Sequence, residues 1–308
     1  MRKASRSELD QLATEQPNPA SAGLDQKPAI EIARIINAED AKVASAIKRA
    51  LPQIAQAIDW IAKALAGGGR LIYVGTGTSG RIAALDASEC PPTFGTDPRL
   101  IQFVMAGGRK ALGAAVEADE DSQKLGIREI RKKRPVKEDV VVGIAASGRT
   151  PFTIAAIEWA RRAGARTIAV TCNPGSSLEM AADLAIVVET GPEVVSGSTR
   201  MKAGTAEKMV LNMLSTGAMV QLGYVYGNLM VNLHQKNSKL AQRAVTIVER
   251  ALAVDRNQAR KLLRSAANSV PTAIVMHSAG VRKELADQAL AAAHGQVRKA
   301  IMLAGQMQ

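Results

Sequence analysis

Five short apolar runs, at about 70–75, 100–106, 139–146, 166–172 and 184–190, are rich in Val and Ile and do not alternate with polar residues. Strands that are apolar on both faces belong in a parallel sheet covered by helices, and helical patterns separate these runs. The expected fold class is α/β, a doubly wound parallel sheet of five strands. In such a sheet a ligand sits beyond the carboxyl ends of the strands, where the strand order reverses. The loops after the first and third runs are therefore the places to look for function.

The first of these loops is Gly75-Thr-Gly-Thr-Ser-Gly-Arg81, followed by Asp86-Ala-Ser-Glu-Cys-Pro-Pro-Thr93. Opening a helix, it would offer one anion its backbone N–H groups, the positive end of a helix dipole and the hydroxyls of Thr76, Thr78 and Ser79. Phosphate is the expected guest. The other loop, Ala145-Ala-Ser-Gly-Arg-Thr-Pro151, has Pro151 where a first helical turn accepts it, so Ser147, Gly148 and Thr150 fall at a second helix N-terminus facing an anion.

Gly75, Gly77 and Gly80 also satisfy G-x-G-x-x-G, the dinucleotide pattern, which needs an acidic residue closing the next strand. That strand ends in Ala106-Gly-Gly-Arg-Lys110, without a carboxylate; Arg109 keeps a phosphorylated nicotinamide cofactor open as an alternative. A P-loop would need Lys and Ser/Thr where Arg81 and Ile82 stand. The plain alternative is a glycine turn that packs helix on strand. The density of hydroxyls and the second loop favour the anion.

A chain of 308 residues with 47% hydrophobic content can bury a full core, and two unequal domains are expected. The net charge of +12 raises nucleic-acid binding, but aromatics are only 3% and the basic residues are scattered apart from Arg128 to Arg134. A basic surface that attracts a small anionic substrate fits the charge equally well. The cluster Arg131-Lys-Lys-Arg134 reads as a solvated helix end. Cys90 and Cys172 form no C-x-x-C pair, so neither a disulfide framework nor a zinc site is written here. No run of 18 apolar residues appears, and the basic N-terminus has no apolar core behind it, so a cytoplasmic protein without membrane contact is expected.

Residues 1–28 are polar, with Pro17, Pro19 and Pro28, and read as an extended arm. A helix is expected from Asn37 as cap, with Val43, Ile47 and Leu51 on one face, and a second from Pro52 to Gly67. The segment Glu189 to Thr205 leads into a long, largely apolar helix that Ser198 or Thr199 would cap, with Lys202 placed to meet a negative group. Beyond Lys239 the pattern is helical throughout, and Asp255 with Gln258 makes a capping box. His234, His277 and His294 read as structural, although His234 would be placed to reach a neighbouring subunit's site.

Gly75–Arg81, Asp86-Ala-Ser-Glu-Cys-Pro-Pro-Thr-Phe-Gly95, Ala145–Pro151 and Gly197-Ser-Thr-Arg-Met-Lys-Ala-Gly-Thr205 closely resemble the N-acetylmuramic acid 6-phosphate etherases. The likeness runs from Thr14-Glu-Gln-Pro-Asn18 to the C-terminal helices. It implies a flavodoxin-like sugar isomerase (SIS) domain that binds phosphosugars, a small ubiquitin-associated-like helical unit, and a homodimer. The corresponding division is an arm and helices at 1–60, the SIS domain at 61–224, a connecting helix at 225–254 and the helical unit at 255–308. It also implies the reaction: the D-lactyl ether of N-acetylmuramic acid 6-phosphate is cleaved with water to N-acetylglucosamine 6-phosphate and D-lactate.

The chemistry sets its own demands. Ring opening exposes an aldehyde that acidifies the C2 proton, so the C3 ether leaves by elimination and water then adds back at C3. The route needs a base at C2 and an acid at the departing oxygen, and no metal or redox cofactor. The resemblance places the proton donor on Glu89 and the C2 proton on Glu120, the latter in an acidic run where Glu117, Asp119 and Asp121 crowd the same stretch. Glu117 and Asp121 also read as a solvated helix start. Glu193 is expected at the sugar, and Ser198, Thr199 and Lys202 near the phosphate. Cys90, beside the proposed acid, has no nearby His and reads as a packed side chain. Two alternatives stay open: a phosphosugar isomerase on the same fold, which lacks the ether-protonating acid, and a non-catalytic regulator that senses a phosphosugar.

Overall fold

The computed structural model describes residues 12–114, 119–233 and 238–307. Five strands, β1 (Leu71–Gly75), β2 (Ile101–Met105), β3 (Val140–Ile144), β4 (Arg166–Thr171) and β5 (Leu184–Val187), form one sheet in the order β2-β1-β3-β4-β5. Every neighbouring pair is parallel, and Leu71 stands between Ile101 and Val140 in register. The order reverses beside β1, whose chain continuation goes to one side and whose next neighbour, β3, lies on the other. The uninterrupted apolar runs thus became strands within three residues of their expected ends.

The first compact unit holds the sheet and comprises Met1–Ala87 and Arg99–Ser215. Helices α1 (Ala29–Arg49) and α2 (Leu51–Ala66) precede β1, and α2 packs on β1, β3 and β5. The first of these helices starts well before Asn37. Pro28 has the extended geometry of an N-cap, and the Ala29–Ile36 stretch is helix-compatible, so Asn37 ends up exposed inside the helix. Between the strands lie α3 (Gly77–Phe94), α4 (Gln123–Lys133), α5 (Pro151–Arg162) and the short α6 (Ser177–Ala181). Side chains alternate across a strand, so α5 covers the face of Ile72, Val74, Val141 and Ala169 through Phe152 and Ile157. Tyr73 points the other way, and its hydroxyl donates to Asp86 of α3 at 2.8 Å.

Asp86 is also the acceptor for Asn212 Nδ2 at 2.7 Å and Ser215 Oγ at 3.0 Å, both from α7 (Lys202–Gln221). One buried carboxyl therefore ties strand, loop helix and long helix together. Burial pushes it up from its ordinary value against these hydrogen bonds.

The second unit comprises Ser88–Pro98 and Thr216–Gln308. A two-residue-stranded hairpin, β6 (Val225–Tyr226) and β7 (Leu229–Met230), is followed by α8 (Ser238–Leu252), α9 (Arg256–Ser265), α10 (Val270–Ala279), α11 (Lys283–Ala292) and α12 (Val297–Gln306). Its core is built largely of small side chains, with Ile247, Leu263, Ile274 and Val275 among alanines 259, 273, 286, 289 and 300. Asp255 caps α9 through the N–H groups of Asn257 and Gln258, as its spacing suggested. Among the described residues no helix is long and apolar enough to cross a membrane. Both cysteines are buried and neither is in a disulfide, and His234 and Glu117 lie outside the described residues.

Candidate active site

The turn from β1 into α3 explains its glycines. Gly77 has φ +50°, a left-handed value that costs other residues, and a Cβ there would stand 3.0 Å from Glu120 Oε1. Gly75 and Gly80 serve a different need, close approach of strand and helix: a Cβ on Gly75 would meet Gly80 N at 2.9 Å. The glycines thus serve the packing turn that the sequence allowed.

This turn forms one wall of a cavity of about 590 Å³ beyond the carboxyl ends of β1, β2 and β3. Thr76, Thr78, Ser79 and Arg81 line it from α3's side, Met105 and Ala106 from the end of β2, and Ser147 and Thr150 from the loop after β3. Thr199, Glu120, Asp121 and Glu15 complete the polar lining. The volume is in the range of a small-molecule site. Thr150 occupies the N-cap position of α5 without a side-chain bond to the helix, which leaves its hydroxyl for a guest. Gly148 is the turn beneath: at φ +67°, a Cβ would lie 2.2 Å from Ser176 Oγ, and its carbonyl accepts from Leu178 N.

Glu120 is held at both ends. Thr76 Oγ1 donates to Glu120 Oε2 at 3.0 Å, and the Glu120 carbonyl accepts from Phe152 N at 3.1 Å in the first turn of α5. Its carboxylate is therefore fixed against the N-terminal turn of α3, facing the cavity. Glu89 lies three turns further along the same helix, is exposed, and does not line this cavity. The helix passes through Pro91 and Pro92 before ending at Phe94, so Glu89 is an interior helical residue.

Two of the residues expected at the substrate do other work, and a third lies outside the cavity lining. Glu193 is fully buried and accepts from Lys202 N at 3.0 Å and Ala203 N at 2.9 Å, so this carboxyl, rather than Ser198 or Thr199, caps α7. Burial pushes it up from its ordinary value, and the two backbone bonds work against that rise. Lys202 is equally buried, with Nζ 2.7 Å from Glu39 Oε2 of α1. Burial drives the Glu39 carboxyl up, but hydrogen bonds from Lys202, Lys42 and Asn18 outweigh it and hold it at about 2. Ser198 lies in the turn before α7, outside the cavity lining, whereas Thr199 is within it.

Sequence reasoning missed Glu15. It belongs to a single helical turn, Ala13–Glu15, whose Thr14 is fully buried and accepts from Asn173 Nδ2 at 3.2 Å. Thr14 O accepts from Gly197 N, and the Glu15 carbonyl accepts from Ser196 Oγ at 2.8 Å. The only signal was the position of Glu15 within a motif shared with a family; nothing in a polar, proline-spaced arm suggests a cavity wall. Glu207 was hidden in the apolar stripe of α7: it is buried beneath the loop, with Oε1 2.8 Å from Ser79 Oγ. Among the described residues no group of three or more metal-ligating side chains is gathered.

Residues 53–161 match the model of the glucokinase regulatory protein N-terminal SIS domain, and residues 135–217 match the SIS domain model. Over 275 residues the chain is 55% identical to an N-acetylmuramic acid 6-phosphate etherase of Symbiobacterium thermophilum, covering 89% of this chain and 91% of that protein. It is 48% identical to the protein of that name from Photorhabdus laumondii subsp. laumondii over 95% of this chain and 97% of the relative. The Escherichia coli O1:K1 / APEC protein of that name is 49% identical over 96% and 99%. With its cavity at the reversal of an SIS-type sheet and relatives this similar along nearly its whole length, the chain belongs to the N-acetylmuramic acid 6-phosphate etherase family.

Proposed function

We propose that this protein cleaves the D-lactyl ether of N-acetylmuramic acid 6-phosphate by elimination and hydration, releasing D-lactate and N-acetylglucosamine 6-phosphate. The observation that carries the reading is Glu120, a carboxylate fixed by Thr76 inside a hydroxyl-lined cavity, in a chain about half identical to etherases. The phosphate is taken by the N-terminal turn of α3 with Thr78 and Ser79, joined by Ser147, Thr150 and Thr199. Arg81 on the cavity wall adds a positive charge, and its guanidinium is oriented by the Ala114 carbonyl at 2.9 Å.

With the tail so held and the ring open, Glu120 removes the C2 proton, the C3–O bond breaks, and an acid delivers a proton to the lactate oxygen. Water then adds its hydroxyl to C3 and a proton returns to C2, so one ether and one water become two alcohols. The resemblance assigns the acid to Glu89; the cavity itself holds two further carboxylates, Glu15 and Asp121. Replacing each singly decides the matter, because the true acid is the one whose loss stops lactate release while C2 exchange continues. A cytoplasmic location and a homodimer belong to the same reading. Light scattering on the purified protein tests the homodimer.

The direct test is incubation with N-acetylmuramic acid 6-phosphate in deuterated, 18O-labelled water. Lactate release with deuterium at C2 and 18O at C3 of the sugar is expected. Binding without turnover would replace catalysis by sensing, and C2 exchange without lactate would leave an isomerase.

A further inference from the structure

Glu207, in the second turn of α7, is a buried acid that the reaction above does not use. Its Oε1 is 2.8 Å from Ser79 Oγ, and Ser79 is one of the hydroxyls lining the cavity at the N-terminal turn of α3. A serine hydroxyl has one hydrogen to give, and an ionised carboxylate only accepts. An ionised Glu207 therefore takes the Ser79 hydrogen and turns the oxygen lone pairs of Ser79 toward the cavity, where they repel an anion. A neutral carboxyl has a hydrogen of its own. With that hydrogen it is able to donate to Ser79 Oγ, which frees the Ser79 hydrogen to point outward.

The surroundings favour the neutral form. Burial pushes the Glu207 carboxyl up to about 8, and the Ser79 hydroxyl offsets only part of that rise. Besides Ser79 from α3, the group facing it is the Cys172 thiol just beyond β4, which burial and then the Glu207 charge push up, so it stays neutral. Thr190 bonds to that thiol, and Glu193 acts on it from beyond β5. Lys208, the next residue of α7, acts on Asp86.

We propose that Glu207 is a positioning residue for the phosphate: as a neutral acid it donates to Ser79 Oγ, aims the Ser79 hydrogen into the cavity, and makes anion affinity depend on its own proton. The inference rests on the cavity being the phosphosugar site. It differs from a structural role, because a carboxyl that merely filled space would leave the binding of an anion indifferent to pH.

The test is calorimetric titration of the purified protein with N-acetylglucosamine 6-phosphate between pH 7.5 and 9.5, where the phosphate ester stays dianionic. Affinity of the parent is expected to fall by at least about tenfold across that range, as each unit above the midpoint removes the binding-competent form. Glu207→Gln, whose amide N–H supplies the same donation at any pH, is expected to give a flat profile. Ser79→Ala, which removes the group being aimed, is expected to flatten the profile and weaken binding. A flat parent profile, or a fall that persists in Glu207→Gln, overturns the proposal. Absence of binding by the parent at pH 7.5 overturns the phosphosugar reading itself, so the two failures are told apart.

Discussion

Thr76 and Glu120, 44 residues apart in the chain, meet through one hydrogen bond of 3.0 Å across the mouth of the β1–α3 turn. The threonine hydroxyl satisfies one carboxylate oxygen and leaves the other toward Gly77 and the cavity. Glu120→Gln is expected to lower kcat by about 10²–10⁴-fold, with lactate release and C2 exchange lost together. Thr76→Val removes a hydrogen bond to a charged group, worth about 1.5–3 kcal/mol, and is expected to lower kcat about tenfold or more with little change in KM. Steady-state kinetics and deuterium exchange followed by NMR read both.

Gly77→Ala tests the turn itself. The left-handed φ costs about 1–2 kcal/mol for a side chain, and the new methyl would press on Glu120. A lower Tm is expected together with a loss of kcat larger than the stability change explains. Equal Tm and activity would mean the carboxylate is not seated as described.

The buried Glu39–Lys202 pair predicts both a mutational and an acid response. Lys202→Met removes the buried partner of Glu39 and leaves only Lys42 and Asn18 on its carboxylate, so a loss of up to about 3 kcal/mol is expected, with less lost when Glu39→Leu is added. Glu39 is held well below its ordinary value in the folded chain, so its contribution is present above about 4.5 and is lost as pH falls toward 2. Denaturant melts from pH 6 to 2.5 should show that decline, and the double variant should show less of it.

Glu207 works in the opposite sense. Its folded value is raised to about 8, so stability is greatest below about 4.5, the unfolded value, and declines as pH rises to about 8, levelling off above it. Glu207→Gln removes this slope, and the stability of the variant relative to the parent should grow between pH 5 and 8. A constant difference across that range would show that the acid is already ionised in the fold.

Glu193 separates capping from substrate contact. Glu193→Ala is expected to cost about 1–2 kcal/mol through loss of the α7 cap. The affinity of the folded variant for the sugar phosphate should change less than twofold. A large loss of affinity with normal stability would return Glu193 to the sugar.

The sheet was legible because a strand buried on both faces has no freedom to carry polar residues, and Leu71–Gly75 or Val140–Ile144 show nothing else. The two glycine- and hydroxyl-bearing turns were legible for a similar reason: glycine spacing and hydroxyls are local properties. What the sequence hid was long-range partnership. Local capping rules look one to three residues away, so a carboxyl reaching from Glu193 to Ala203 N escaped them. Lys202 read as a phosphate ligand because its cationic end says nothing about Glu39, which lies 163 residues earlier and fills its place. Glu207 sits among the apolar positions of α7, where only burial against Ser79 distinguishes it from a surface carboxylate.

The single helical turn at Ala13–Glu15 has a practical meaning for anyone handling the protein. A cavity wall supplied by so short a stretch is fastened by Thr14 and a few bonds to residues 173, 196 and 197, not by a helix of its own. Proteolytic nicking or a bulky fusion just upstream would loosen that wall before it touched the sheet. Preparations that melt normally would then differ in turnover, and intact mass would be the first thing to check.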